Sequence, residues 1–584
     1  MVSPFSATSS VCASPVAPAN LPAYHPGRRP GFLSPAIRLT SLVAACLSLV
    51  VALGACGAGG TADSGIGPDA AGPGAADSGT VGNDGSVENN GIGQGQQRRD
   101  ATVIVGAWPI NFDFTSTGGA AIPQLLMNNV YETLVGIDQE GSLVPLLAQS
   151  WSVSEDGLVY EFTLRQDVTF SNGQPLTSAD VVASFDRVST DWQTALAASF
   201  DVIEQTQALD TYTVQVTLTR PSNQWLYFAA TAVGAIFPAD LTGIDLQTQA
   251  IGTGPFTVAH VEQGDHIRLQ ARSDYWGGQP YLDTITVRYI LDASAAVNAL
   301  RAGDADMLVG VASGEQVRVF ADEAAQMAAD PSVTEPAGGQ QARWQVIEGS
   351  STGEVLWSFN NRREPFTDIR VRQAFAHAVD RQLVMEFATA GYGQLVGAMV
   401  TPQDPFFEDL SGLFPFDPER ARELLAEAGY ADGLTVNLEV PNLGYAITAA
   451  EVIYSQLGQV GVTVNIEVVE FPAVWLDRVF RNHDFDMSII MHMEAWDLLT
   501  VLQPDYYLGF DRPDILQAAA VADAGSREEW IEGMAQVVRD VAQEVPGVVL
   551  YLAPTLIVAD AGLTGIMANS VTESLNLTSL RWDF

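Results

Sequence analysis

The chain has 584 residues, 47% of them apolar, which is enough hydrophobic sequence for about three or four folded domains. It carries 69 acidic residues against 27 basic ones, and every basic residue is an arginine. The absence of lysine excludes Schiff-base chemistry and a P-loop lysine, and the formal net charge of −42 argues against nucleic acid as a partner.

Residues 1–55 are predicted to be a lipoprotein signal peptide. An arginine-containing segment without acidic residues precedes an apolar run that starts at Leu39, and this run is too short for a membrane span. It ends in LGAC at 53–56, which resembles the bacterial lipobox, so we expect cleavage before Cys56 and lipidation of that cysteine. Loss of Cys12 and Cys46 would leave one cysteine, which excludes disulfides and a cysteine nucleophile.

Residues 56–100 are rich in Gly, Ala, Asp, Ser and Asn and contain almost no large apolar side chain. Such a composition cannot bury enough surface to offset the entropy of ordering, so the stretch is predicted to be a flexible tether. A coil of this length would reach roughly 35–40 Å, enough for a folded body to work close to a membrane.

From residue 101 the pattern alternates between strands and helices. ATVIVGAW at 101–108 predicts a buried strand, and the apolar spacing over 121–137 predicts a helix. Residues 151–164 predict a hairpin with its turn at Asp156 and Gly157. Thr177 is expected to cap the next helix, with Asp180 in the capping-box position.

Two further predictions concern the C-terminal half. A helix should start at Pro418, with Asp417 as its cap and Gly429 at its end. The segments LTVNLEV, ITAAEVIYSQLGQV and GVTVNIEVVEF should then form a strand, a helix and a second strand parallel to the first.

Five arginines and a histidine crowd into SFNNRREPFTDIRVRQAFAHAVDR at 358–381. A single helix is predicted from Thr367 or Asp368 to about Gly391, with one apolar stripe along its length. The arginines and His377 fall mainly beside that stripe, so the basic cluster is interpreted as scaffolding rather than as a reactive site.

Evidence for catalysis is weak in this sequence. GSSTG at 349–353 matches the G-x-S-x-G pattern of hydrolases, but the residues after it read as a strand where that motif needs a helix. No two histidines have i,i+4 metal spacing, and the sequence shows no zinc signature, phosphate cradle or triad. We therefore do not expect an enzyme, and no cofactor is expected.

The segment FNNRREPFTDIRVRQAFAHAVDR closely resembles a hallmark of the family 5 extracellular solute-binding proteins, which deliver oligopeptides, dipeptides, nickel complexes and related ligands to ABC importers. Other segments resemble the family in the same order: YETLVGIDQEGSLVPLLAQSWSVSEDGLVYEFTL, GTGPF, YWGGQPYLDTI, ALRAGDADM and PERARELLAEAGY. The resemblance extends from about residue 101 to at least residue 492.

The resemblance implies an α/β fold of the two-lobed periplasmic-binding-protein type, with a ligand cleft between the lobes. Lobe I would consist of residues 101–144, 246–352 and 547–584, and residues 145–245 would form a smaller subdomain inserted in it. Lobe II would consist of residues 353–546.

In peptide binders of this family, the ligand lies like an added strand and its amino terminus pairs with an acidic residue. The corresponding run here is MEAWDLLTVLQPDYYL, which keeps acids and a tryptophan but departs from the family pattern, so Glu494 or Asp497 is expected to pair with the ligand near Trp496. The resemblance gives five further candidates for ligand binding: Trp108, Asn128, Tyr131, Trp357 and Asn360.

The resemblance therefore implies a monomeric receptor, anchored by lipid on the extracytoplasmic face of the cell membrane. It would capture peptides or a peptide-like solute by lobe closure and deliver them to the permease subunits of an ABC importer. A receptor for a metal complex or an oligosaccharide on the same fold is an open alternative, because the EAWD stretch is altered and the chain has 11 tryptophans. A surface hydrolase is a more distant alternative.

Overall fold

The computed structural model describes residues 98–311, 313–329, 343–493 and 495–583. The predicted signal peptide with Cys56, nearly all of the tether, and Glu494 lie outside the described residues. None of the helices in the described ranges has the length and apolar character that crossing a membrane requires.

The largest sheet has seven strands, and the strand predicted near residue 101 lies at its centre as Asp100–Val105. Val103 and Ile104 are fully buried there, since the strand is parallel to both of its neighbours and covered on both faces. The spatial order of the sheet is Trp344–Gly349, Thr555–Asp560, Met307–Val309, Asp100–Val105, Thr284–Tyr289, His266–Ala271 and Phe256–Glu262.

A second sheet has five strands and contains the predicted strand–helix–strand unit. Leu434–Pro441 and Val462–Val469 are parallel over eight residue pairs and are joined by the helix Gly444–Gln459, which confirms the prediction. The spatial order is Val462–Val469, Leu434–Pro441, Met487–His492, Glu354–Phe359 and Gly547–Leu552.

A third, antiparallel sheet of four strands contains the predicted hairpin. Ala148–Val153 pairs with Val159–Leu164, and Gly157 takes a φ of +69° in the turn, which glycine adopts without strain. The spatial order is Ala148–Val153, Val159–Leu164, Thr213–Leu218 and Ile203–Asp210. Two short pairs complete the strands: Val135–Ile137 with Leu143–Pro145, and Leu563–Thr564 with Arg581–Trp582.

Helices surround these sheets. The α-helices are Ala121–Leu126, Ser178–Thr190, Trp225–Phe228, Ala293–Ala302, Gly314–Ala329, Ile369–Ala378, Arg381–Thr389, Pro418–Glu427, Gly444–Gln459, Ala473–Trp475, Leu498–Val501, Pro513–Asp523 and Arg527–Glu544. Ala195–Phe200 and Ala232–Gly234 are 3₁₀ turns, and Leu476–Arg481 is a π-helical turn. The capping box of Thr177 and Asp180 is present, as predicted.

The chain passes between the seven-stranded and five-stranded sheets twice, at residues 350–353 and again at 553–554. The second passage lies within residues 547–584, which the sequence prediction assigns to lobe I. Gly547–Leu552 pairs with Glu354–Phe359 in the five-stranded sheet, because that pairing satisfies the edge of a strand that would otherwise be open. The predicted lobe boundaries stay predictions.

The helix predicted over 121–137 is much shorter than expected. It ends at Leu126, and Asn128 turns the chain with a φ of +60°. The side chain of Asn129 is buried and donates hydrogen bonds to the carbonyls of Leu125 and Leu575. These tertiary bonds to a distant segment override the apolar periodicity that favoured a helix.

The arginine-rich helix is also divided, into Ile369–Ala378 and Arg381–Thr389, with Asp380 capping the second part. Leu383 and Phe387 consequently leave the predicted stripe and are exposed. The scaffolding interpretation agrees with the contacts, since the arginines bind backbone carbonyls of distant segments. Arg372 donates to the carbonyls of Phe366, Glu544 and Val545, and Arg381 donates to those of Val396, Ser411 and Val549.

Removal of a helix cap gives a first, modest prediction. The Asp417 carboxylate accepts hydrogen bonds from the backbone N–H groups of Glu419 and Arg420, as the sequence predicted. Asp417→Ala should therefore lower the free energy of unfolding by about 1 kcal/mol in urea titrations. Asp432→Ala, at an exposed loop position, is the matched control and should stay within about 0.5 kcal/mol of the parent. Equal effects of the two substitutions would contradict the role of the cap.

Candidate functional site

A cleft lies where the five-stranded sheet meets loops from other parts of the fold. The cleft is lined on the one hand by residues within 352–354, 399–406, 495–499 and Met534, and on the other by Ile137, Gly141, Gln224, Ser570 and Val571. Because these segments are far apart in the chain, only the folded protein forms the cleft.

Three carboxyl side chains line the cleft, and each comes from a different element. Glu354 is the first residue of the strand Glu354–Phe359, directly after the first passage between the sheets. Asp404 lies in the turn 401–404, and Asp497 precedes the short helix Leu498–Val501. No arginine or histidine is among the described residues that line this cleft, so its lining carries only negative charge.

Burial and mutual repulsion change the acidity of two of these groups. Burial, followed by the charges of Asp497 and Asp404, raises the pKa of Glu354 well above its ordinary value. Burial raises the pKa of Asp404 to about 7, although the backbone N–H and the hydroxyl of Thr401 donate to its carboxylate. Without a positive ligand, the cleft is therefore expected to hold protons at neutral pH.

Asp497 is paired with a histidine. His492, which is buried, places Nδ1 3.0 Å from Oδ2 of Asp497 and Nε2 3.0 Å from the hydroxyl of Tyr507. Burial raises the pKa of that hydroxyl well above its ordinary value, so it stays protonated. His492, held in turn by Tyr507, fixes the orientation of Asp497.

Trp496 supplies an aromatic wall beside the acids. Its ring lies 4.4 Å from that of Tyr227 and 6.0 Å from that of Phe406, measured between centroids. Its backbone has a φ of +67°, a conformation that costs a tryptophan roughly 1–2 kcal/mol. Packing therefore holds this residue in a strained conformation at the cleft.

The region predicted as an inserted subdomain is hydrogen-bonded to the segment 523–525. The buried carboxylate of Asp523 accepts from Nη1 of Arg220 at 2.8 Å and from the backbone N–H of Gln224 at 2.9 Å. The side chain of Asn223 donates to the carbonyls of Asp523 and Gly525. Opening the cleft on this side would break these bonds.

A second compartment adjoins the first and shares Ile137, Ser570 and Val571 with it. Its lining includes Met307, Ile557 and several residues of the C-terminal segment 566–580. None of the described residues that line it is charged. The first compartment is therefore the acidic end of the combined cleft, and the second compartment is its uncharged end.

The structure brings three of the predicted ligand-binding residues to this region. Trp496 and Asp497 line the acidic compartment, and Asn128 lines the uncharged one. Glu494 lies outside the described residues. Contact of these residues with a ligand stays a prediction.

The other four predicted residues lie elsewhere, in packed cores or hydrogen-bonded turns. Tyr131 is fully buried against Phe237, and Trp357 is fully buried against neighbouring phenylalanines. Trp108 packs edge-on against Tyr289 at 4.6 Å. Asn360 donates hydrogen bonds to the carbonyls of His483 and Phe485. The structure does not bring these four side chains to either compartment.

Sequence reasoning missed Glu354, Asp404 and Gln224. For Glu354 a signal existed, since a carboxylate directly precedes the apolar run VLWSF in a predicted strand, and a buried acid without a structural partner is unusual. Asp404 lies in an irregular segment with several other acids, and Gln224 in a short polar loop, so neither stood out from its surroundings.

The serine of the GSSTG motif has a structural role. Ser351 lies in the first passage between the sheets, where its hydroxyl donates to the carbonyl of Ala553 and accepts from the backbone N–H of Gly353. The residues after it form the strand Glu354–Phe359, as the sequence predicted. Within the described ranges, no group of three or more His, Cys, Asp or Glu residues could hold a metal ion.

Comparison with known proteins identifies the architecture. Residues 142–508 match the model of the bacterial extracellular solute-binding proteins, family 5, middle region. The glutathione-binding protein GsiB of Salmonella paratyphi A is 29% identical over 380 residues, which cover 64% of this chain and 70% of that protein. GsiB of Pectobacterium atrosepticum is also 29% identical, over 379 residues with the same coverage.

Solved structures show the same two-lobed α/β fold. The substrate-binding protein CtaP of Listeria monocytogenes matches 83% of this chain and 100% of its own, with a TM-score of 0.72 and 19% identity. The oligopeptide-binding protein AppA of Bacillus subtilis, solved with a nonapeptide, matches 84% of this chain and 100% of its own, with a TM-score of 0.66 and 21% identity. The predicted fold class is thereby confirmed.

Proposed function

The chain belongs to the family 5 bacterial extracellular solute-binding proteins, and from that membership we propose that it is the lipid-anchored receptor of an ABC importer. It captures a peptide or a peptide-like solute by closure of the two lobes and delivers it to the permease unchanged. The observation that carries the proposal is the cleft, because its lining combines residues of the five-stranded sheet region with Ile137, Gln224 and Val571 from outside it. A ligand held there would contact both sides and favour the closed state.

The relatives support a peptide-like solute. The similar proteins named above are a glutathione-binding protein and an oligopeptide-binding protein solved with a nonapeptide. The ligands in these two names, glutathione and a nonapeptide, both contain peptide bonds. The hydrogen bonds between Asn223 and the Asp523–Gly525 segment support closure as the capture step.

A thermal-unfolding screen tests the proposal on the full chain. Peptides, glutathione, metal chelates and oligosaccharides are added separately, and a solute at 100 times its Kd should stabilise the protein by about 2.7 kcal/mol. Stabilisation by peptides or glutathione is expected. Stabilisation by a chelate or a saccharide alone would favour the alternative ligands on the same fold, and no shift with any solute would contradict solute binding.

Lipid anchoring is tested separately. Cys56→Ser should abolish the incorporation of labelled fatty acid in cells, because the acyl chains are attached through that cysteine. Cys46→Ser, which changes a cysteine within the predicted signal peptide, should keep the label. Labelling of the Cys56→Ser chain would contradict the anchor.

A further inference from the structure

The carboxyl group of Glu354 is an unusual feature of the acidic compartment. The residue is 5% exposed, and its side chain has no hydrogen-bond or ion-pair partner among the described residues. A carboxylate buried without a partner costs far more than one that is hydrogen-bonded and paired. In the free protein Glu354 therefore favours its protonated form, and a cation that enters the cleft would allow it to ionise.

The acidic neighbours of Glu354 favour the binding of a cation in this compartment. Asp404 and Asp497 lie close enough for their charges to raise the pKa of Glu354. Asp404 accepts hydrogen bonds from Thr401 within its own turn, and Asp497 contacts His492. One histidine contact cannot neutralise three carboxyl groups, so a positive ligand group would remove the repulsion between them.

The aromatic side chains of the compartment favour a guanidinium group over an ammonium group. Trp496 and Phe406 line the compartment together with the acids, so an entering group meets both carboxylates and aromatic side chains. A guanidinium is planar, stacks on aromatic rings, and presents five donors to carboxylates from several directions. An ammonium is a compact and strongly hydrated charge with three donors, so it is harder to desolvate in such a place.

The second compartment indicates what the rest of the ligand is. It adjoins the acidic one and has only uncharged lining among the described residues, with apolar groups such as Met307, Ile557 and Leu577. A solute that spans both compartments would place its cation at Glu354 and an apolar portion beside the C-terminal segment. An acidic solute such as glutathione would set carboxylates against carboxylates.

We propose that the acidic compartment of Glu354, Asp404 and Asp497 takes a guanidinium group, in a solute whose remainder is apolar and uncharged. This inference rests on the proposed function and narrows its substrate class. The guanidinium is a second cationic determinant, additional to any ligand amino terminus, because one acid would suffice for an amine. Glu354 and Asp404 then act as specificity-determining residues.

Isothermal titration of the full chain at pH 7.5 tests the proposal with three tripeptide amides: Arg-Leu-Leu, citrulline-Leu-Leu and Lys-Leu-Leu. All three carry the same amino terminus, and citrulline matches arginine in shape but has no charge. We expect the arginine peptide to bind at least about 30-fold more tightly than the citrulline peptide and about tenfold more tightly than the lysine peptide.

Two variants connect that preference to the compartment. Glu354→Gln and Asp404→Asn should each reduce the arginine-to-citrulline ratio about tenfold or more. Glu451→Gln, at an exposed position on the helix Gly444–Gln459, should leave the ratio unchanged. The Asp404 variant keeps the test decisive if the Glu354 variant does not fold.

The outcomes separate this inference from the proposed function. Equal binding of arginine and citrulline peptides would overturn the cation site and leave a peptide receptor. Equal binding of arginine and lysine peptides would overturn the assignment to a guanidinium. Glutathione binding without arginine-peptide binding would overturn the inference alone, and absence of binding by every solute of the wider screen would overturn both proposals.

Discussion

The unliganded protein is expected to lose stability as the pH rises from 5 to 7.5, with Asp404 alone contributing about 2.5 kcal/mol of that loss. The pKa of this carboxyl is raised from 3.8 to about 7 in the folded protein. Between those two values the folded state keeps a proton that the unfolded state has released, so the free energy of unfolding falls as the pH rises. Glu354 and Glu439, whose pKa values burial also raises, act in the same direction.

Carboxylates with lowered pKa values do not obscure this effect. Asp514, which is paired with Arg512, has its pKa lowered to about 2, and the pKa of Asp274 is lowered by its hydrogen bond to Arg272. Groups of this kind are ionised in both the folded and the unfolded states above pH 5. They therefore do not change the free energy of unfolding between pH 5 and 7.5. Their contribution is lost only when the pH falls further.

Urea unfolding at half-unit steps from pH 5 to 7.5, followed by tryptophan fluorescence, measures the slope of the free energy of unfolding against pH. Asp404→Asn should flatten it and should make the protein more stable than the parent at pH 7.5, because the amide has no charge to desolvate. Asp432→Asn, at an exposed position, should reproduce the parental slope. Parallel curves for the parent and the Asp404 variant would show that this carboxyl ionises normally.

The parts of the fold that were predictable depend on local rules. Asp417 with Pro418, the Thr177 capping box and the turn at Gly157 each involve a few adjacent residues, and all are present as predicted. The divided arginine-rich helix was not predictable in this way. Its break depends on Asp380, whose backbone N–H donates to the side chain of Gln456 on another helix.

The candidate site was harder to predict than the fold, for a physical reason. Asp497 and Trp496 were found through the family resemblance, but Glu354 and Asp404 face the cleft only because a strand and a distant turn meet there. In a chain with 69 acidic residues, the residue type alone does not distinguish these two. Conversely, Tyr131 lies in a segment that resembles the family, and Trp357 lies just before another, but both side chains pack in the core. Segments of this kind therefore also contain residues that serve the fold.

Glu132 illustrates how motif residues serve the fold. It is 2% exposed, and its carboxylate accepts hydrogen bonds from the hydroxyls of Thr253 and Tyr275 and from the indole N–H of Trp276, at 2.7–2.9 Å. These donors belong to the segments GTGPF and YWGGQPYLDTI, and Glu132 belongs to YETLVG. Three segments that resemble the family separately are thus joined by one buried side chain.

The backbone around Glu132 is equally constrained. A Cβ atom on Gly252 would lie 1.9 Å from the carbonyl oxygen of Val130, so only glycine allows this approach. Arg272 donates to the carbonyls of Gly252, Thr253 and Gly254 and thereby holds the same loop from its other side. The loop therefore cannot move to compensate for a change at Glu132.

Glu132→Ala should accordingly lower the free energy of unfolding by about 3–5 kcal/mol, because it leaves one buried and two part-buried donors without an acceptor. Glu132→Gln should cost less, since its amide oxygen can still accept while its NH₂ group faces a donor. Urea unfolding at pH 7 measures both, with Glu140→Ala at an exposed turn as the control that stays within about 0.5 kcal/mol of the parent. A loss below about 1 kcal/mol for Glu132→Ala would mean that water replaces the carboxylate and that the three segments are held together by packing instead.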